Sequence, residues 1–436
     1  MALDGSHESP ATTAVTGSVA PVLEPLLTAV FGGPPPLRFE CWDGSHISPA
    51  AGDSAGVVRL RSPDALRRIL WAPGELGLGR AFVAGDVDLD GDLPEMLRRL
   101  RTSAVGGGEL GAREIAAVLR AARQLHLIGR PVPPPREEAR LRGRRHSKRR
   151  DSRAVSHHYD VGNEFYRLVL GTSMTYSCAR WGGDAQNLES AQAAKHELVC
   201  RKLGLHDRPG ARLLDVGCGW GSLALHAAAV HDAQVVGITI SEEQHALACL
   251  RVKEADLDGR IEIRLQDYRD LGGETFDAIS SIGMFEHVGE DRMADYFAAL
   301  HGRLRRGGRF LNHAISSVGN SKLGRRSFVG RYVFPDAELV DLAGVVGAME
   351  RAGFEVRDVE SLREHYACTL RAWVASLEEN WTAAVREAGE ARARVWRLYM
   401  AGSIVGFDDG GISVHQVLGV APDADGTSHL PLRRDF

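Results

Sequence analysis

The sequence predicts an α/β protein: a doubly wound, mainly parallel sheet, preceded by a small α+β domain. Three observations carry this. From about residue 191 to 315, short β-branched apolar runs alternate with helical stretches, the pattern of a parallel sheet with helices on its faces. The first such run passes through Asp215-Val216-Gly217-Cys218-Gly219-Trp220-Gly221 into a helical run from Ser222 to Val230. That is the strand, tight turn and helix that open a βαβ unit. The chain has 436 residues, enough for two domains with a large core.

Residues 1–30 read as a disordered tail, small and polar at first, with a short helical pattern from Val22 to Val30. Residues 31–128 read as the small α+β domain. Leu37 to Trp42 alternates like a strand, Asp43-Gly44 is a turn signal, and Val57 to Leu60 is a second strand. Ser62 caps a helix to Leu70 with Pro63 at its first position. Gly77 to Asp86 is glycine-punctuated and partly apolar, and Leu93–Leu100 and Gly111–Leu127 look helical. None of this suggests chemistry.

Residues 129–153 read as a Pro-rich and basic linker. Gly129 to Pro135 is stiff. Arg136, Arg140, Arg142, Arg144, Arg145, Lys148, Arg149, Arg150 and Arg153 then face only Glu137, Glu138 and Asp151. Such a run is either a solvated helix face or a contact to polyanions. An anionic membrane surface would gain roughly 1 kcal/mol per basic residue. Nucleic acid would call for base-stacking aromatics, and none stands between Arg136 and Arg153.

Residues 154–436 form the catalytic domain. Ala191 to Leu203 is a helix leading into the glycine turn. Strands follow at 212–216, 234–239, 261–265, 276–282 and 308–315, with a helix at Tyr296–Leu304. Ser241 and Gln244 make a capping box for the helix after the second strand. Ligands of such sheets lie outside the carboxyl ends of the strands, where Gly217, Thr239, Asp267, Glu286 and His313 stand. His157 and His158 are neighbours, and neighbours on a helix point to different faces, so no metal is expected there.

The composition narrows the class. A net charge of −4 argues against global attraction to nucleic acid. The six cysteines have no CxxC spacing, which predicts reduced thiols, a cytoplasmic protein and no zinc site. No apolar run reaches the length of a membrane span, and the N-terminus has no signal-peptide pattern. Any membrane contact is then peripheral.

The glycine turn sets the ligand. A dinucleotide turn reads G-x-G-x-x-G with an acidic residue after the second strand. Here the spacing is G-x-G-x-G, and Gly237-Ile238-Thr239-Ile240-Ser241 has no acid. The turn instead resembles the S-adenosylmethionine (SAM) loop of Rossmann-like methyltransferases.

Several motifs together resemble the cyclopropane fatty acid synthase family, which includes mycolic acid cyclopropane synthases and methylene-forming fatty acyl methyltransferases. They are HHYDVGNEFY, TYSCARW, LLDVGCGWGSLA, VVGITISEEQ, SIGMFEHVG, the NHAI strand, YVFPDAEL and REHYACTLRAW, in that order from Ser156 to Trp373. LGLGRAFVAGD extends the likeness to the N-terminal domain of phospholipid-acting members.

The resemblance implies methyl transfer from SAM to the cis double bond of an unsaturated phospholipid acyl chain, with a carbocation deprotonated by bound bicarbonate. It assigns the bicarbonate site to Cys178, Glu286, His313, Ile315 (through its backbone) and Tyr366. It assigns SAM to Tyr176, Ser177, Asp215, Gly217, Gly219, Thr239, Gln244, Asp267 and Tyr268. One departure stands at Ser403, where many members carry a cysteine, so a covalent cysteine mechanism is not available there.

The implied product is a cyclopropane. The alternative is a methylene-bearing chain, which would bring in a reductase partner. The implied location is cytoplasmic, at the inner face of the cell membrane, on an anionic phospholipid surface. Related enzymes often form homodimers. Two rival readings are a methyltransferase for a soluble small molecule or RNA, and a non-catalytic lipid-binding protein.

Overall fold

A computed structural model describes residues 18–49, 55–103, 111–139, 143, 145–159, 161–319, 323–324, 326–433 and 436. The chain divides into two units, Met1–Pro134 and Pro135–Phe436.

The first unit contains α1 (Ala20–Phe31), β1 (Arg38–Glu40), β2 (His46–Ile47), β3 (Gly56–Leu60), α2 (Pro63–Trp71), α3 (Glu75–Val83), β4 (Val87–Gly91), α4 (Leu93–Ser103) and α5 (Ala112–Gln124). Its sheet runs β2-β1-β3-β4, with β1 and β3 parallel and the outer pairs antiparallel. The Ser62 hydroxyl caps α2 by accepting the Asp64 N–H, with Pro63 opening the helix.

One expectation is corrected here. The 1–30 stretch is not all tail: α1 starts at Ala20, Val19 and Leu23 are fully buried, and Asp43 accepts the Val19 N–H at 2.8 Å. Residues 1–17 lie outside the described residues. The glycine-punctuated stretch is largely helix α3. A Cβ on Gly77 would stand 2.8 Å from the Arg68 carbonyl oxygen, so this glycine lets α3 lie against α2.

The second unit contains α6 (Lys148–Tyr159), α7 (Asn163–Leu170), α8 (Leu188–Leu203), β5 (Arg212–Val216), α9 (Ser222–His231), β6 (Gln234–Thr239), α10 (Glu242–Glu254), β7 (Ile261–Leu265), β8 (Phe276–Ile282), α11 (Met293–His301), β9 (Leu304–Ser317), α12 (Phe328–Tyr332), β10 (Val340–Asp341), α13 (Leu342–Arg351), β11 (Glu355–Ser361), α14 (Arg363–Glu379), α15 (Trp381–Ala388), α16 (Glu390–Asp408) and β12 (Ile412–Val420). The basic part of the expected linker therefore belongs to this unit and runs into α6. Arg150 donates to Asp336 at 2.5 and 2.9 Å, and Arg145 does so at 3.1 Å. Arg140, Arg142 and Arg144 lie outside the described residues.

The sheet runs β11-β12-β9-β8-β5-β6-β7, with β10 added beside β9. The five strands from β7 to β9 across the sheet are parallel, and β12 and β11 close one edge antiparallel. Side chains alternate across the strands. Leu213, Val235, Ala278 and Leu311 pack with α8 and α9, whereas Leu214, Val236, Ile279 and Phe310 pack with α11 and α13. From β5 the chain moves outward through β6 and β7, then returns to β8 on the other side. The glycine turn leaves β5 at this switch point, where doubly wound sheets bind ligands.

Candidate active site

A cavity of about 480 Å³ opens at the carboxyl ends of the parallel strands. Its walls include Tyr176, Ser177, Asp215, Gly217, Gly219, Thr239, Gln244, Asp267 and Tyr268, every residue the sequence assigns to SAM. Gly217 has a φ of +75°, which favours glycine, and a Cβ there would meet the Met284 side chain at 3.0 Å.

Beneath the turn, Asp215 is buried and accepts the Ser280 hydroxyl at 2.7 Å. Burial pushes its carboxyl up to about 6. Lys195 of α8 reaches the same cavity, and burial pulls its amine down to about 8. It donates to the Ser177 hydroxyl at 3.0 Å, while Gln192 donates to the Ser177 carbonyl at 2.9 Å. Helix α8 thus holds the 175–177 segment against the cavity. Sequence reasoning passes over Lys195. Its signal is a lysine among alanines, at helical spacing from Gln192 and Val199.

Ser241 caps α10, but the capping box is only half formed. Ser241 accepts the Gln244 N–H at 3.2 Å, whereas the Ser241 N–H goes to the Thr239 hydroxyl at 3.2 Å. That hydroxyl donates to Gln244 Oε1 at 2.8 Å, so Thr239 and Gln244 form one unit on the cavity wall. Asp267 caps the short turn after β7 and accepts the Arg269 N–H at 2.9 Å. Burial opposes its ionisation, but the Arg269 hydrogen bonds prevail and keep its carboxyl low.

Of the five residues assigned to the base site, Glu286, His313 and Ile315 stand at the ends of β8 and β9, and Cys178 and Tyr366 stand at the start of α14. Glu286 follows β8 and accepts the Ile315 N–H at 2.7 Å. Its Oε2 is buried and has no partner among the described residues. Burial pushes the carboxyl up to about 7, against the Ile315 hydrogen bond. His313 is two residues before Ile315 on β9, hence on the same strand face. Its Nδ1 pairs with the Gln416 amide at 3.1 Å, and its buried Nε2 has no partner among the described residues. Burial pulls His313 down to about 3, so the ring is neutral.

The Leu362 carbonyl accepts from the Cys178 thiol at 3.6 Å and from the Tyr366 backbone N–H at 3.0 Å, which sets Cys178 beside the first turn of α14. Cys178 is fully buried, and burial pushes its thiol far up, so it is not a thiolate.

Tyr176 links the cavity to a set of aromatic rings. It lines the cavity, and its ring lies 5.3 Å from Trp373, 5.6 Å from Trp396 and 5.8 Å from Tyr166. Its hydroxyl donates to that of Tyr399 at 3.4 Å. Tyr399 is raised to about 12, mainly by burial, and Glu286 is near enough to add to the shift. Ser403 hydrogen-bonds Tyr399, so the serine at the departure from the family pattern supports this aromatic wall.

A family model described as mycolic acid cyclopropane synthetase matches residues 146–417. A probable fatty acid methyltransferase of Mycobacterium tuberculosis is 42% identical over 428 residues, covering 95% of this chain and 97% of that protein. The chain belongs to the mycolic acid cyclopropane synthetase family. A second family relative, the cyclopropane-fatty-acyl-phospholipid synthase of Escherichia coli, is 34% identical over 371 residues, covering 84% of this chain and 88% of that one. The mycolic acid cyclopropane synthase CmaA1, solved with S-adenosylhomocysteine and CTAB, is 33% identical with a TM-score of 0.58, over 62% of this chain and 97% of that one. As a family member the chain is a SAM-dependent methyltransferase. The glycine turn, the buried Asp215 and the Thr239–Gln244 unit fit that donor.

Proposed function

We propose that the enzyme methylates the cis double bond of unsaturated acyl chains in membrane phospholipids and closes a cyclopropane ring. The observation that carries this is Glu286: a buried carboxyl with one oxygen fixed by Ile315 and the other without a partner among the described residues, near Tyr399 of the aromatic enclosure. An alkene is a weak nucleophile and needs a dry, oriented site. Its π pair bonds to the methyl carbon as the sulfonium–carbon bond breaks, and a cation forms on the neighbouring alkene carbon. The new methyl group then loses a proton, and that C–H pair closes the ring. Rings such as Tyr176, Trp373 and Trp396 stabilise passing positive charge without being strong bases.

Bicarbonate, when bound, supplies the base for the departing proton. The residues present fit such an anion. With Nδ1 of His313 paired to Gln416, its Nε2–H is a donor, and Glu286 Oε2 accepts or holds a proton. Cys178 and Tyr366 are assigned to the same anion by the family resemblance.

Loss of a proton after a hydride shift would instead leave a methylene group. The name of the 42% identical relative, a fatty acid methyltransferase, fits either product, and the methylene one brings a reductase partner with it. We place the enzyme on the inner face of the cell membrane, on anionic lipid. Among the described residues no helix is long and apolar enough to cross a membrane. The test is mass spectrometry and proton NMR of lipids from an oleate-containing host expressing the chain. A gain of one CH₂ with high-field ring protons supports the cyclopropane, and vinylidene protons support the methylene product. No gain with SAM binding intact overturns both.

A further inference from the structure

Helices α8 and α9 pack together on one face of the sheet and share a cluster of metal-ligating side chains. Cys200 on α8 and His226 and His231 on α9 bring their ligand atoms within 4.8 Å of one another. Glu197 lies one turn before Cys200 and therefore on the same helix face. Its Oε2 stands 2.9 Å from His231 Nε2 and 3.3 Å from His226 Nε2. His196 stays out of the set, with its Nε2 at 3.5 Å from the Thr175 hydroxyl.

We infer that Cys200, His226, His231 and Glu197 form a site for a thiophilic divalent cation of the zinc class. One thiolate, two imidazoles and a carboxylate are ligands that zinc takes in tetrahedral geometry. Ligand atoms around such an ion stand about 3.3–3.8 Å apart, so Cys200 and the two histidines need only draw in slightly, while Glu197 and His231 ease apart from 2.9 Å. Cys200 is fully buried and the His231 side chain is 7% exposed, whereas Glu197 is 37% exposed, which leaves an entry path on its side. Binding releases the Cys200 thiol proton to solvent. Cysteine spacing cannot reveal this site, because its one cysteine meets the histidines only when α9 folds against α8.

The position gives the ion a structural role. Helix α8 holds Ser177 through Gln192 and Lys195, and α9 leaves directly from the glycine turn. An ion between them ties together two walls of the methyl-donor cavity.

The test uses the full chain, stripped with a chelator and loaded with Zn²⁺ or Co²⁺. Expected are one ion per chain after desalting, a raised Tm that the chelator reverses, and a thiolate-to-cobalt charge-transfer band with tetrahedral d–d bands. Cys200→Ser should abolish the charge-transfer band and the Tm rise. Glu197→Gln and His226→Asn lie on the more open side and are expected to fold. Each should weaken zinc retention by more than the roughly tenfold that loss of an outer partner costs. The inference is overturned if the stripped protein retains no ion, if it gives cobalt spectra without a thiolate band, or if the folded variants retain zinc as the parent does.

Discussion

The Ile315 backbone N–H donates to one oxygen of the Glu286 carboxyl at 2.7 Å, and the other oxygen is buried without a partner among the described residues. Burial raises this carboxyl from 4.5 to about 7. The folded state therefore holds the proton more tightly than the unfolded chain, and stability falls as pH rises through that window. Glu286→Gln keeps an acceptor for Ile315 and removes the charge. The variant should match the parent near pH 4 and exceed it by about 3 kcal/mol at pH 8, measured by urea unfolding at both pH values. A variant less stable than the parent at pH 8 contradicts the account.

Turnover should move the opposite way. If the open Glu286 oxygen accepts or orients the departing proton, Glu286→Gln loses roughly 10²–10⁴-fold in kcat and still binds SAM by calorimetry. In the parent, kcat should rise with pH around 7 as Glu286 ionises. His313, pulled down to about 3, stays neutral throughout and adds no limb of its own. Flat kcat from about pH 6 to pH 8, on vesicles whose binding is constant, would show that Glu286 is not the titrating group.

The glycine turn offers two different failures. At Gly217 the φ is +75° and a Cβ meets Met284 at 3.0 Å, so Gly217→Ala strains the fold itself. It should cost about 1–2 kcal/mol of stability from the backbone alone. At Gly219 the φ is +56° but a Cβ meets nothing within 4 Å. Gly219→Ala should cost little more than backbone strain yet project a methyl group where the donor lies. Calorimetry with SAM and a thermal melt separate the two. Equal Tm losses with unchanged SAM affinity at Gly219 would mean that its lack of a side chain does not serve the ligand.

Much of the second unit is legible in the sequence because its elements obey local rules. The strands at 212–216, 234–239, 261–265 and 276–282 fall where the apolar periodicity puts them, and the inner three are buried on both faces. Seven of the nine residues assigned to SAM converge on one cavity because β–α turns at a switch point must face the same way, and α8 brings Tyr176 and Ser177 to it. What stays hidden depends on tertiary packing. Lys195 reads as a polar residue of an ordinary helix until the burial of α8 turns it toward Ser177. Ser241 and Gln244 read as a full capping box because chain spacing alone cannot show that Thr239 wins both the Ser241 N–H and the Gln244 side chain. Gly77 reads only as punctuation in an apolar stretch because its reason lies across α2.

The basic segment shows the same limit and makes the last prediction. By charge alone, every arginine from 136 to 153 is equally suited to a membrane. The structure divides them. Arg145 and Arg150 are committed to Asp336, which has a φ of +71° and lines the cavity, and Arg145 also pairs with Glu338 at 3.0 Å. Arg136, Arg149 and Arg153 are exposed. Replacing Arg150 by Gln should cost roughly 2 kcal/mol of stability and weaken SAM binding through Asp336, with vesicle binding little changed. Replacing Arg136, Arg149 and Arg153 together by Gln should leave Tm and SAM affinity alone. If these three meet anionic lipid at about 1 kcal/mol each, vesicle partitioning falls roughly a hundredfold at low salt and the loss shrinks as salt rises. Co-sedimentation with anionic vesicles at two salt concentrations checks this. Unchanged partitioning in the triple variant would leave the exposed arginines as a solvated face and move the search for the lipid contact elsewhere in the chain.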